Sequence, residues 1–317
     1  MAILEKIIKN WKKYLPIIGI ILFVYILFKI NLINILQEIK NVNVYLLLIA
    51  IVFIFLSMFF QTFKWFIIAR FQEIEVPFIE AFKINMISNF YGLVTPSKLG
   101  SVVRAEYLKK YTRNGNIGKG LFNFTIDKVL DISSVIFMAI FFSFVFKDKL
   151  DLPIGIFFTL FLAFVLLTLF FIKKERSKSF LRFFYIKIFH RKVKDNVRLT
   201  FDSFYDNIPK KRFFALFFLL NVINWVFIYL IYYFIGLSVG IEMNFIYYLA
   251  IFPIGTLVAM IPISISGLGT REATLISLFG LFNIAAAKVF SMSIIGLIIA
   301  GIIPSIIGIF LTFKKRL

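Results

Sequence analysis

Long apolar runs, separated by short polar segments, follow one another along the whole chain. Several of them reach the roughly 20 residues that an α-helix needs to cross the hydrocarbon core of a bilayer. We therefore expect an all-α polytopic membrane protein. The continuous apolar runs predict membrane-spanning helices at Leu15–Ile30, Val44–Phe63, Leu121–Phe146, Pro153–Ile172, Phe213–Ile235 and Lys288–Phe313.

Two further apolar stretches are interrupted by helix-breaking residues. The first covers Phe78–Val94 and resumes at Ser101–Tyr111, and the second covers Phe245–Ile261 and resumes at Thr270–Phe282. Lipid tails cannot hydrogen-bond a broken backbone, so each break must be buried in protein or line a wet cavity. Paired Gly/Pro interruptions in two halves mark the binding sites of inverted-repeat transporters. We expect about six to eight transmembrane helices, including two broken or re-entrant segments, and an inverted repeat fits this pattern.

Composition and charge agree with a membrane protein. Hydrophobic residues make up 61% of the 317 positions and charged residues 16%, against about a quarter charged in soluble domains. The formal charge of +20 would point to nucleic acid in a soluble chain. Here the basic residues collect between the spans, as the positive-inside rule expects. Residues 173–212 carry thirteen Lys and Arg against four acids, which places this segment, and with it the two basic termini, in the cytoplasm.

We expect residues 1–317 to form a single integral membrane domain of the cell membrane. Within it, residues 173–212 form a basic, aromatic-rich amphipathic connector, which either lies on an anionic leaflet or is simply solvated. Six spans satisfy the charge distribution if each interrupted stretch enters and leaves by one face of the membrane. Eight spans also satisfy it if the second stretch crosses twice, and the charges do not separate the two arrangements.

The two breaks carry the chemistry of an anion site. A helix that resumes after a break presents free N–H groups and a positive dipole end. Hydroxyl groups add hydrogen bonds, and the guanidinium forks of Arg104 and Arg271 suit phosphate oxygens. Alternatively, Pro and Gly merely kink ordinary spans and the arginines reach to the membrane interface. The candidate headgroup-binding residues at the breaks are Pro96, Ser97, Lys98, Gly100, Arg104, Glu106, Pro262, Ser264, Ser266, Gly267, Gly269, Arg271 and Glu272.

Three more candidate residues lie near the start of the third predicted span. Asp127 and Asp131 are four residues apart, so they share one face of a helix, and Lys128 lies beside them. Carboxylates on a spanning helix are costly and normally face the protein interior. They either pair with the arginines or with protons during transport, or they form an ion pair that locks helices together.

These motifs resemble those of the flippase-like membrane domain, the transmembrane region of lysylphosphatidylglycerol synthetases. Pro96–Ala105 resembles the family's Pro-Gly-Arg-x-Gly-Glu-x-x-Arg signature, and Asp127–Asp131 resembles its Asp-Arg-x-x-Asp motif. Pro262–Glu272 resembles the Pro-x-Ser-x-Gly-Gly-x-Gly-x-Arg-Glu motif. All three occur in family order, and the resemblance spans almost the whole chain.

The resemblance implies lipid translocation, by a stand-alone member without an aminoacyl-transfer domain. We expect an anionic phospholipid or a polyprenyl-phosphate-linked lipid as substrate. The chain departs from the family pattern at a few positions: the basic charges are retained, whereas one acid is replaced by Ser101. The other departures are Ser97, Lys98, Lys128 and Ser266.

Other functions find less support in the sequence. There is no Gly-x4-Gly-Lys-Ser/Thr phosphate loop to supply ATP chemistry, no cofactor or metal site is expected, and nucleic acid is not an expected partner. The alternatives are a membrane-embedded transferase that uses a lipid phosphate, for which only Asp127 and Asp131 offer clustered carboxylates, or an accessory subunit of one. His190 is expected to be a surface residue, and no nucleophile–base pair is evident. Membrane lipids are the expected partners, with a homo-oligomer or a glycosyltransferase or synthetase as further candidates.

The charge distribution and the two breaks predict a specific topology. Because the chain has no cysteine, single cysteines can be introduced for labelling with membrane-impermeant reagents. Positions Asn116 and Lys178 should be labelled only from the cytoplasm, and Lys149 only from outside. If Thr95–Arg104 and Ser264–Arg271 lie near the midplane and are reached from opposite faces, Ser266→Cys should react from outside. Free labelling of Ser266→Cys from the cytoplasm alone would rule out opposed re-entrant segments.

Overall fold

The computed structural model describes residues 21–30, 32–95, 98–113, 115–146, 154–171, 173–180, 191–206, 208–261, 264 and 267–314. Regular structure in this part of the chain is helical throughout, without strands, which confirms the expected all-α class. The candidate residues Pro96, Ser97, Pro262 and Ser266 lie outside the described residues, as does His190. In chain order the helices are α1 (Ile21–Ile30), α2 (Leu32–Lys40), α3 (Val44–Phe71), α4 (Phe78–Leu93), α5 (Val103–Leu108), α6 (Gly118–Val145), α7 (Ile154–Phe171), α8 (174–180), α9 (Arg191–Phe204), α10 (Phe213–Ser238), α11 (Phe245–Met260), α12 (Thr270–Gly280), α13 (Ala286–Leu297) and α14 (Ile303–Lys314).

Four helices of the described chain are long and apolar enough to cross a membrane, namely α3, α6, α10 and the continuous helix formed by α13 and α14. The bent pair α1–α2 would make a fifth, and α7 is helical where a span is predicted. A π-helical turn, Ile298–Ile302, joins α13 to α14. Pro304 follows directly, and its missing N–H removes one α-helical hydrogen bond at this place. The predicted spans at these four positions are thereby confirmed as helices.

Two sequence boundaries are corrected. Helix α3 continues to Phe71 instead of ending at Phe63, because Lys64, which ends the apolar run, is buried against other helices rather than exposed at the membrane surface. The segment between the first two predicted spans, Leu15–Ile30 and Val44–Phe63, contains helix α2, bent by 78° from α1. The buried side chain of Ile35 packs on Phe290 of α13, which holds this helix against the protein.

Both interrupted stretches fold back on themselves as helical hairpins. After α4 a 3₁₀ turn begins at Leu99, where a Cβ atom on Gly100 would lie 2.2 Å from the carbonyl oxygen of Tyr91. After α11, a Cβ atom on Gly267 would lie 2.4 Å from that of Ala259. Gly267 also has a φ of +79°, which favours glycine. The breaks are therefore tight reversals that bring the second limb of each hairpin against the first.

The two halves of the chain are an inverted structural repeat. Each contains a long helix, a hairpin whose first helix has 16 residues, and a second long helix. The equivalent helices α3 and α10 pack antiparallel: the N–H of Asn43 donates to the carbonyl of Ser238 at 2.9 Å, and at the other end the rings of Phe71 and Phe213 lie 4.1 Å apart. Helix α4 packs on α14, and α11 reciprocally on α6. Because the halves are inverted, their hairpins point in opposite directions.

Helices α8 and α9 belong to the basic connector, and α9 packs on the start of α6. A Cβ atom on Gly118 would lie 2.3 Å from the carbonyl oxygen of Thr200 in α9, so glycine permits this close approach. The ammonium of Lys174 hydrogen-bonds the carboxylate of Asp202 at 2.7 Å and holds the pKa of that carboxyl below its usual value. The described part of the connector thus contains two helices, 174–180 and Arg191–Phe204. Its binding to an anionic leaflet stays a prediction.

The contact between α4 and α14 depends on a small residue and gives a test of the reciprocal packing. A Cβ atom on Gly308 would lie 2.2 Å from the carbonyl oxygen of Met86. Gly308→Ala should therefore lower the free energy of unfolding by roughly 1–3 kcal/mol, the usual cost of overpacking, and lower the melting temperature in detergent. Gly155→Ala is the control, since no described atom lies within 4 Å of its Cβ position. Equal melting temperatures for the two variants would contradict the close packing of α4 on α14.

Candidate functional site

Four charged side chains meet inside the first half of the protein. The ammonium of Lys64 lies 3.1 Å from a carboxylate oxygen of Asp127 and also hydrogen-bonds Asp131. A guanidinium nitrogen of Arg104 lies 2.9 Å from the other oxygen of Asp127. All four residues are at least nine-tenths buried. Two cations and two anions balance here, as burial away from water requires. We call these four residues the buried charge network.

Three elements position the buried charge network. Lys64 comes from α3, the two aspartates from one face of α6, and Arg104 from α5, the second limb of the first hairpin. The amide oxygen of Asn221 in α10 accepts a further hydrogen bond from Lys64 at 2.6 Å. The guanidinium carbon of Arg104 lies 4.8 Å from the ring centroid of Trp65 in α3, within the range of a cation–π contact. The network therefore ties the hairpin to both long helices of its half and to the other half.

A second polar cluster forms in the second hairpin around Arg271. Its guanidinium donates to Glu272 at 2.9 Å, to the hydroxyl of Tyr232 at 3.1 Å and to Ser293 at 3.0 Å. The second carboxylate oxygen of Glu272 accepts the N–H of Gly269 at 2.5 Å and so caps the start of α12. The cluster joins α12 to α10 and α13, as Arg104 joins α5 to α6 in the first half.

Both arginines that the sequence predicts to bind phosphate thus form hydrogen bonds with protein groups. Arg104 is 4% exposed, and the side chain of Arg271 is 15% exposed. Their positions agree with a role in holding each hairpin to the long helix that follows it. Asp127 pairs with Arg104 and Lys64. Its geometry therefore fits an ion pair that locks helices together more closely than a carboxylate that is free to take part in transport.

Two lysines near these clusters remain more accessible. Lys98 is exposed and lies at the reversal of the first hairpin, where its φ of 55° is unusual for a side chain other than glycine. Lys128 is about one third exposed, and its ammonium lies 3.7 Å from Asp131, beyond normal hydrogen-bonding distance. The charges of Lys128 and Arg271 repel Lys98, and the charge of Asp131 attracts it. We call Lys98, Lys128 and Arg271 the cationic site.

The remaining sequence candidates are distributed as follows. Ser264 hydrogen-bonds Thr270 at 2.9 Å inside the second reversal, next to Gly267. Gly100 donates its N–H to the hydroxyl of Thr95 at 2.7 Å within the first reversal. Glu106 is not brought to either cluster, since it is exposed and pairs with Lys109.

Sequence analysis missed the residues that hold these clusters together: Lys64, Asn221, Tyr232 and Ser293. Lys64 and Asn221 could have been identified from the sequence, because a charged or amide side chain within or next to a membrane-spanning run needs a polar partner. Asp127 and Asp131 were obvious partners. Tyr232 and Ser293 carried no such signal, since hydroxyl groups are common in membrane helices and can bond their own backbone.

The fold and the two clusters define a polytopic α-helical membrane protein built from an inverted repeat with two polar hairpins. Residues 16–308 match the family model described as the lysylphosphatidylglycerol synthase transmembrane region, and the chain belongs to this family. A UPF0104 membrane protein of Pyrococcus horikoshii is 25% identical over 327 residues, which cover 96% of the chain and 98% of that protein. A UPF0104 membrane protein of Methanothermobacter thermautotrophicus is 29% identical over 120 residues, 38% of the chain and 34% of that protein. The suspected family is thereby confirmed.

The buried charge network predicts a large structural effect of Asp127→Asn. The substitution leaves Arg104 without its carboxylate, and breaking a buried pair costs about 3–5 kcal/mol, so folded protein should be lost. Asp202→Asn is the matched control, because it removes an ion pair whose two side chains are exposed, which costs at most about 1 kcal/mol. Arg104→Gln combined with Asp127→Asn should restore part of the stability. The measurement is the yield and melting temperature of monodisperse protein in detergent. If Asp127→Asn melts like Asp202→Asn, the network is not structural.

Proposed function

We propose that this protein binds the anionic headgroup of a membrane lipid at the cationic site and moves the lipid from one leaflet to the other. The observation that carries the proposal is the accessibility of two lysines: Lys98 is exposed at the reversal of the first hairpin, and Lys128 is one third exposed and too far from Asp131 for a hydrogen bond. Like charges repel each other, and in a membrane this repulsion is weakly screened. A negatively charged ligand would relieve it.

The buried charge network supports this proposal. Its own cations already pair with the nearby carboxylates, so the accessible lysines lack closely paired acidic partners. Lys64 and Arg104 already engage Asp127 and Asp131 at short distances. Lys128 shares Asp131 only at 3.7 Å, and no ion pair of Lys98 is present among the described residues. Each lysine offers three N–H donors to a ligand. Cations inside membrane proteins commonly mark pathways for substrates.

The inverted repeat supports movement of the headgroup as well as binding. In transporters built from inverted repeats, the substrate site lies at the interface of the repeats, and one repeat rocks against the other around it. The cationic site receives residues from both halves, so such a motion would change its access from one leaflet to the other. Transport would be downhill or coupled to protons or to the membrane potential.

We propose transport rather than catalysis. A metal-assisted transferase would need free carboxylates, and Asp127 and Asp131 are both bound to Lys64 or Arg104. We further place the protein in the cell membrane with both termini in the cytoplasm, as the basic segments indicate. Membrane lipids are its partners in this proposal, and a second copy or a lipid-modifying glycosyltransferase or synthetase could accompany it.

The proposal predicts that Lys98→Gln abolishes most of the transport without unfolding the protein. Loss of one charge-assisted hydrogen bond to the headgroup should reduce the flipping rate by about tenfold or more. The side chain of Lys98 is exposed, so yield and melting temperature should stay unchanged. The measurement is the flipping of a fluorescent anionic lipid in proteoliposomes that contain matched amounts of folded protein.

The control is Lys83→Gln. Lys83 forms a local ion pair with Glu80 at 2.8 Å in the first hairpin, and it is not part of the cationic site. This variant should flip lipid at the wild-type rate. Wild-type protein that does not move the lipid above the rate of empty liposomes would refute the proposal. Equal rates for Lys98→Gln and Lys83→Gln would remove Lys98 from the site.

A further inference from the structure

Helix α2 has three different faces. The buried side chain of Ile35 belongs to the contact with α13. Leu32 and Leu36 lie one turn apart, so they are neighbours on a second face, and they are 55% and 49% exposed. Asn34 and Gln37 form the third face, which is polar and exposed. A helix with one face on the protein, one exposed apolar face and one polar face fits a boundary between hydrocarbon and water.

We propose that α2 lies on the surface of the membrane, at the end of the helix bundle opposite the basic connector, with Leu32 and Leu36 in contact with lipid chains. The partner that this surface fits is the bilayer itself. Gln37, on the polar face, then points to water. The inference concerns a part of the protein away from the cationic site, so it does not depend on the proposed function.

The position of α2 along the bundle supports this proposal. Helix α3 begins at Val44, shortly after α2 ends. Beyond the other end of α3, the side chain of Gln72 donates to the carbonyl of Lys119 at 3.4 Å, at the start of α6, where α9 also packs. The 28 residues of α3 rise about 42 Å, which exceeds the roughly 30 Å of a hydrocarbon core. The start of α3, and α2 beside it, therefore reach the membrane surface.

The direction and the length of α2 agree with a helix that runs along the membrane. It is bent by 78° from α1. Since α1 belongs to the predicted span Leu15–Ile30, α2 then runs nearly parallel to the membrane plane. Its nine residues extend about 13.5 Å, less than half of what a crossing helix needs. Helix α2 is thus too short and too strongly inclined to cross the bilayer.

The exposed apolar face of α2 continues the lipid-facing surface of its neighbours. Phe28, near the end of α1, and Val44, at the start of α3, are both largely exposed on helices that the sequence predicts to span the membrane. Tyr45 is exposed as well, and tyrosines are enriched where a membrane meets water. Leu32 and Leu36 lie between these positions along the chain. The hydrocarbon that covers the neighbouring helices therefore also covers the apolar face of α2.

Contacts with the second half of the protein fix the rotation of α2 about its own axis. Ala273 and Ile276 of α12 pack against the cluster that contains Ile35. The hydroxyl of Ser291 in α13 donates to the carbonyl of Ile35 at 3.4 Å. With this face held on α12 and α13, the helix cannot turn its apolar face away from the membrane. The same contacts connect the membrane surface to the second limb of the second hairpin.

Site-directed spin labelling tests the proposal, because the chain has no cysteine. The full-length variants Leu36→Cys and Gln37→Cys are labelled and reconstituted into liposomes of phosphatidylethanolamine and phosphatidylglycerol. Electron paramagnetic resonance then measures the accessibility of each label to oxygen, which concentrates in hydrocarbon, and to nickel ethylenediaminediacetate, which stays in water. The logarithm of the oxygen-to-nickel ratio should be positive for Leu36→Cys and negative for Gln37→Cys. Leu48→Cys, on the exposed side of α3, is the reference for a lipid-facing label.

Leu32→Cys repeats the measurement on the same face as Leu36, so the test does not depend on a single variant. All of these side chains are exposed, and the labelled proteins should keep the wild-type melting temperature in detergent. Negative values on both faces would show that α2 stands in water, and positive values on both would show that it is immersed in hydrocarbon. Either result would overturn the proposal. Low accessibility of Leu36→Cys to both agents, with dipolar broadening between labels, would overturn it in favour of a second copy of the chain.

Discussion

The interaction on which the rest of the structure depends is the pairing of Lys64 with Asp127 and Asp131. A buried lysine within a 28-residue apolar helix can remain charged only if carboxylates reach it. Those carboxylates come from α6, and the amide of Asn221 brings α10 to the same ammonium. Arg104 completes the charge balance, and its bond to Asp127 connects the first hairpin to α6. One buried cation thus sets the relative positions of α3, α5, α6 and α10.

The inverted repeat explains why both hairpins are held in a similar way. In each half, an arginine of the second limb bonds the long helix that follows, through Asp127 in the first half and Ser293 in the second. The halves differ in what remains accessible. The first half leaves Lys98 exposed and Lys128 only weakly paired with Asp131, whereas the second half neutralises its arginine with the adjacent Glu272. The accessible cations of these two clusters therefore belong to the first half.

The distinction between arginine and lysine in this protein follows from their chemistry. Guanidinium groups have several donors in a fixed plane and suit multiple bonds to protein groups. Arg271 makes such bonds to Glu272, Tyr232 and Ser293, whereas Arg104 makes one to Asp127. Of the lysines near these clusters, Lys98 and Lys128 keep their ammonium groups accessible, whereas Lys64 is buried and bonded. Sequence analysis assigned ligand binding to the arginines because a fork matches phosphate geometry. It had no means to see that Tyr232 and Ser293 accept hydrogen bonds from Arg271 and that Asp127 accepts one from Arg104.

The sequence by itself determined the class of protein, the long helices, the two breaks and the family, because these depend on local apolar runs and short motifs. It also identified Asp127 and Asp131 as facing one way, since helical periodicity alone places residues four apart on one face. Only the tertiary structure decided that Lys64 is their partner, that α2 is a helix packed on α13, and that the halves are antiparallel. It also decided which cations remain accessible. Each of these depends on contacts between residues far apart in the chain, and neither periodicity nor composition records which distant side chain satisfies a buried charge.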